Sequence, residues 1–211
     1  MTEGQQGDYP VRLTIEYPDR DLDRVSTLLR IFYVIPIMIV LALVSGAVFG
    51  GSFDDEGRAM AVGGGILVAP VVVMILFRQK YPRWWFDFNL QLTRFSTRVF
   101  SYLALMSDRY PSTDEEQWVR LELDYPDAKQ DLNRWLPLVK WLLAIPHYVV
   151  LVFLGIASFF VVIVAWFAVL FTGRYPRGLF EFLEGVQRWA LRVEAYAFLL
   201  ITDRYPPFTL A

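Results

Sequence analysis

The sequence predicts a mainly α membrane protein with four transmembrane helices. They form two parallel repeats, each a short strand, a transmembrane helical hairpin and an amphipathic surface helix. Three observations lead there: long uncharged apolar runs, an ordered internal repeat, and a one-sided distribution of basic residues. Apolar residues make up 55% of the 211 positions and charged residues only 20%. The net charge of −2 therefore matters less than where the charges sit. With no cysteine, thiol nucleophiles, disulfides and Cys-ligated metals are excluded. No cleavable signal pattern is read in the first thirty residues.

The apolar runs come first. Residues 31–50 and 59–77 carry no charge, and each is long enough to cross a hydrocarbon core of about 30 Å. The polar stretch from Gly51 to Arg58 between them reads as an external turn. The third run, Trp141 to Phe171, has His147 as its one ionisable group and is ambiguous by length alone. As one helix it would measure about 46 Å, whereas two full spans need about 40 residues. It could begin at Leu136, with Lys140 snorkelling, and turn near Gly155.

The repeat decides between these in favour of a hairpin. Val11-Arg-Leu-Thr-Ile-Glu-Tyr-Pro-Asp19 returns as Val119-Arg-Leu-Glu-Leu-Asp-Tyr-Pro-Asp127, and Ile35-Pro36 returns as Ile145-Pro146. Phe77 to Arg83 matches Phe171 to Arg177, and Asp-Arg-Tyr-Pro closes both copies at Asp108 and Asp203. If both copies cross twice, the spans fall at about 31–50, 59–77, 136–154 and 156–172. Arg58 is then the one basic residue on the far side, so the positive-inside rule puts both termini in the cytoplasm. The expected organisation is a disordered 1–8, a first repeat over 9–111, a linker over 112–117, a second repeat over 118–206, and a tail over 207–211.

Within each repeat the polar elements follow. Val11, Leu13, Ile15 and Tyr17 alternate with polar residues, as do Val119, Leu121, Leu123 and Tyr125, the period of a half-buried strand. Pro18 and Pro126 end the two strands, which are expected to pair antiparallel across a pseudo-twofold axis. After Tyr81-Pro82-Arg83 a run containing Trp84 and Trp85 has helical spacing, as has the run containing Trp189 after Tyr175-Pro176-Arg177. Aromatic residues on one face and arginines on another suit either a helix in the headgroup zone or one packed over the strands.

These motifs resemble the bacterial integral membrane family known as domain of unknown function 4389, in the tandem-repeat form of actinobacterial members. The shared features are the strand ending in Tyr-Pro-Asp, the Ile-Pro of the first span, and the Tyr-Pro-Arg entry to an aromatic helix. The resemblance runs from about Tyr9 to Pro206. It implies membrane location and the repeat, and it brings no activity or catalytic residues.

The residues offer little for catalysis. His147 is the sole histidine, so a structural role is expected and a metal site is poorly supported. Gly63-Gly-Gly65 lies in an apolar span with no lysine after it, which favours close helix packing over a phosphate loop. Asp19, Asp21, Asp23, Asp127 and Asp131 could ligate a divalent cation, but helix capping by Asp21 and Asp131 is the expected role. Asp108-Arg109 and Asp203-Arg204 read as local ion-paired turns. No cofactor, metal or nucleic acid is expected as a ligand; membrane lipids, and another membrane protein complex, are the expected partners. The reading leans away from an enzyme, toward an accessory or scaffold protein of the bacterial inner membrane with a cytoplasmic partner-binding or membrane-surface layer. A lipid-binding or lipid-translocating envelope protein is the alternative. The candidate interaction or structural residues are Tyr17, Pro18, Tyr81, Pro82, Arg83, Trp84, Trp85, Tyr125, Pro126, Tyr175, Pro176, Arg177 and Trp189.

Overall fold

A computed structural model describes residues 9–19, 21–45, 65–112 and 117–211. The expected disordered start, the Gly51–Arg58 turn, residues 46–50 and 59–64 of the first two spans, Gly63 and Gly64, and most of the linker lie outside these residues. Mainly helical, the chain runs β1 (Val11–Ile15), α1 (Arg24–Ser45), α2 (Gly65–Arg78), α3 (Arg83–Leu103) and β2 (Val119–Leu123). A 3-10 turn at Leu136–Leu138 then leads into α4 (Lys140–Leu143), α5 (Ile145–Thr172) and α6 (Arg177–Ala197).

The strands pair antiparallel, with Leu13 opposite Leu121 at the centre of the register. Alternation explains the sheet's two faces. Val11, Leu13, Ile15, Val119 and Leu121 are buried, whereas Thr14, Glu16, Arg120, Glu122 and Asp124 face out. On the outer face Arg12 bridges Glu122 and Asp124 at 3.2 and 2.7 Å, and Arg120 meets Glu16 at 3.4 Å. Exposed pairs of this kind add little stability but set register across the strands.

The two amphipathic helices lie against the inner face of the sheet. On α3, Arg94 Nε donates to the Leu121 carbonyl at 2.9 Å; on α6, Arg188 Nε donates to that of Leu13 at 3.4 Å. Glu184 of α6 also accepts the Ile15 backbone N–H at 3.0 Å. Residues are buried around most of α6, from Phe180 to Ala197. Of the two placements expected for it, α6 takes the one packed over the strands and is not exposed as a surface helix. The reason is that its arginines find acceptors inside: Arg188 also reaches the Leu210 carbonyl at 3.1 Å, and Arg192 reaches that of Ala211 at 2.8 Å. Both acceptors, the carbonyls of Leu210 and Ala211, lie in residues 207–211, read from the sequence as a tail.

The apolar helices form the next layer. Two of them, Arg24–Ala42 of α1 and Ile145–Thr172 of α5, are long and apolar enough to cross a membrane, with mean hydropathy 2.2 and 2.9. The expected hairpin over 136–172 is not formed. Residues Ile145 to Thr172 make one uninterrupted helix, and Gly155 sits mid-helix in open space. The second half of the chain lacks about sixteen residues that the first half has between matched motifs, so no loop exists to reverse direction. A single glycine costs a helix only about 1 kcal/mol. Spans at 136–154 and 156–172, and with them the four-helix count, are corrected accordingly. Lys140 does not snorkel; it is fully buried.

Candidate functional site

The Tyr-Pro motifs meet in a reciprocal joint between the two halves. The Tyr17 hydroxyl donates to the Tyr175 carbonyl, and the Tyr125 hydroxyl donates to the Tyr81 carbonyl at 2.6 Å. In return the Tyr81 hydroxyl reaches the Leu199 carbonyl at 2.6 Å, and that of Tyr175 reaches Ala104 at 3.2 Å. All four bonds cross from one half of the sequence to the other. Burial pushes the Tyr81 and Tyr175 hydroxyls above the ordinary tyrosine range, which keeps both protonated as donors.

Local sequence explains the placement. Pro82 and Pro176 hold extended backbone with φ −72° and −65° immediately before α3 and α6, which suits a residue preceding a helix. Arg83 and Arg177, first in their helices, then lie over the rings of Tyr125 and Tyr17 at 5.4 and 5.1 Å. Phe86 and Phe180 meet the same two rings edge-on at 5.2 and 5.0 Å. Before each motif the chain turns through positive φ, at Gln79 (44°) and Gly173 (76°).

Of the sequence-selected residues, Tyr17, Tyr81, Tyr125, Tyr175, Arg83 and Arg177 come together in this joint. Pro18 follows Tyr17 half-buried, and Pro126 follows Tyr125 buried, both beyond the strand ends. Trp85 is buried beside exposed Trp84. Trp189 stands apart, where its indole Nε1–H donates to His147 Nδ1 at 3.1 Å. His147 is buried and stacked on Phe208 at 4.0 Å, a packing role.

Two ion pairs with buried cations, missed in the sequence, support the joint. Arg30 of α1 meets Asp108 at 2.7 Å, and Lys140 of α4 meets Asp203 at 2.7 Å. Asp108 and Asp203, read from the sequence as parts of local ion-paired turns, thus reach basic residues far along the chain. A usable signal was present: a basic residue stands five positions before each Ile-Pro, matching the aspartate that closes each half.

The capping expectation also shifts by two residues. Asp23, not Asp21, accepts the Val25 backbone N–H at 3.0 Å, and Asn133, not Asp131, does the same for Trp135 at 3.0 Å. Asp21 instead pairs with Arg174 at 3.0 Å, and Asp131 accepts the backbone N–H of Asp127 at 2.9 Å. Among the described residues, no group of three or more His, Asp or Glu converges as a metal site.

No curated protein and no solved structure matches the chain. Residues 135–209, which span Lys140, α5, the second Tyr-Pro motif, α6 and Asp203, match a domain of unknown function, DUF4389.

Proposed function

We propose that the protein is a non-enzymatic scaffold of the bacterial inner membrane, made by duplication of one unit and facing the cytoplasm. The observation that carries this reading is the reciprocal joint. Its tyrosines are spent on backbone carbonyls of the opposite half and its arginines lie over tyrosine rings, an arrangement that fixes shape. Paired cations at matched positions, Arg30 with Lys140 and Arg94 with Arg188, support the duplication. The outward sheet face, with Arg12, Glu16, Arg120, Glu122 and Asp124, offers a rigid, mixed-charge surface to a partner protein.

Extraction in native-lipid particles, followed by mass spectrometry, tests the proposal. A stoichiometric protein partner that is lost when Arg120 and Glu122 are both reversed in charge supports it. Recovery of the protein with no partner at all contradicts it. Lipid handling is the second reading, favoured by the exposed apolar faces of α1 and α5; one selectively enriched lipid without a protein partner would advance it.

A further inference from the structure

We infer that α5 does not cross the bilayer but lies lengthwise within one leaflet, with both of its ends on the same side. The inference rests on the membrane reading above.

It starts from the two faces of α5. Ala144, His147, Ser158, Ala165 and Val169 are buried, and Leu151 and Leu154 half-buried, along one side of the α4–α5 segment. The opposite side exposes Val152, Phe153, Ile156, Phe159, Phe160, Ile163, Val164, Phe167 and Phe171. Spacings of three and four put these on one stripe the whole length of the helix. No Asp, Glu, Lys or Arg occurs between Trp141 and Gly173. Bare in water, such a stripe would be a severe liability; lipid is the chemistry that matches it.

Orientation follows from what holds the two ends. At 1.5 Å per residue, 28 residues span about 42 Å. The first turn of α5 is docked on α6 through His147 and Trp189. Its far end is docked on the start of α1: the Trp166 indole donates to the Thr27 carbonyl at 3.2 Å, and Leu22 N–H donates to the Gly173 carbonyl at 2.7 Å. That part of α1 is itself fixed to the end of α3 by Arg30, which donates to the Tyr102 carbonyl at 2.7 Å. The start of α5 is therefore held on α6 and its far end on the start of α1, which is tied in turn to α3; α3 and α6 carry the charged sheet on their other side.

If α5 spanned the membrane, this layer would have to cross with it. The bilayer core would then hold exposed Arg120, Glu122 and Glu16. Charged side chains at the bilayer centre are costly. Placed lengthwise, α5 instead sinks its stripe about 5–10 Å below the headgroups and leaves the sheet in water. Exposed Trp135 and Trp141, at the start of the apolar layer, suit the interface.

The absence of cysteine allows a depth measurement along the helix. Single spin labels at Val152→Cys, Ile156→Cys, Phe160→Cys, Val164→Cys and Phe171→Cys sit at exposed positions, so the fold tolerates them, which circular dichroism verifies. In vesicles of phosphatidylethanolamine and phosphatidylglycerol, power saturation reads oxygen against a water-soluble nickel chelate. The expected profile is level, with all five labels in lipid at similar depth. A profile that peaks near Phe160 and falls toward both ends means a spanning helix and overturns the inference while keeping the membrane reading. Failure to bind vesicles, with every label open to the chelate, overturns both.

Discussion

The Arg30 guanidinium and the Asp108 carboxylate meet at 2.7 Å with almost no exposure to solvent, 2% and 10% of their side-chain surfaces. Arg30 also donates to the carbonyls of Tyr102 and Ser107, and the second Asp108 oxygen accepts the Asp23 backbone N–H. Each half of the chain thus clamps its first apolar helix to its closing turn, since Lys140 and Asp203 do the same in the second half. Breaking a buried pair leaves one charge uncompensated in a region of low polarity. Asp108→Ala is expected to cost about 3–5 kcal/mol of stability, whereas Arg30→Met with Asp108→Leu is expected to recover most of it. Chemical denaturation in mild detergent measures both.

The tyrosine joint should behave as structure. Tyr125→Phe removes one hydroxyl and leaves the Tyr81 carbonyl without that donor, an expected loss of about 0.5–1.5 kcal/mol. Because Tyr17 makes the matching bond in a separate place, the double Tyr17→Phe, Tyr125→Phe variant should lose about the sum. Thermal unfolding of the two single variants and the double one checks this.

Gly185 marks where the C-terminal residues rest on α6. A Cβ there would sit 2.7 Å from the Leu210 carbonyl oxygen and 2.9 Å from the Leu210 Cβ. Gly185→Ala is expected to push residues 207–211 off the helix and expose Arg188 and Arg192, which donate to that segment. Faster carboxypeptidase trimming of the variant than of the natural chain is the readout.

Stability should also carry a pH signature from α6. Desolvation pushes the Glu194 carboxyl above its ordinary value. An acid raised in the folded state binds its proton longer there than in the unfolded chain. Its cost is therefore absent at pH below the ordinary glutamate range and appears as pH rises through the window between the two values. Glu194→Gln should match the natural chain near pH 4 or below and exceed it in thermal stability at about pH 7. Paired melts across that range decide the point.

Much of this architecture was legible in the residues. The alternation around Leu13 and Leu121 specified two strands, and the Tyr-Pro-Arg motifs specified where α3 and α6 begin. Two things were hidden. Periodicity places Arg188 and Arg192 on a polar face but cannot say whether that face meets water or the carbonyls of β1 and the C-terminal residues. Likewise, an apolar run from Trp141 to Phe171 carries no mark of direction. Assuming that both halves treat their apolar segments alike imposed a turn at Gly155, when the shorter half lacks the residues to make one. The ion pairs Arg30–Asp108 and Lys140–Asp203 join residues more than sixty positions apart, beyond any local pattern.

The central claim, that α5 lies along the membrane with both ends on one side, has a direct two-point check. Lys129→Cys and Thr172→Cys place exposed thiols before α4 and at the end of α5. In sealed vesicles of one orientation, a membrane-impermeant maleimide is expected to label both positions from the same side to the same extent. Labelling of the two thiols from opposite sides would contradict the account.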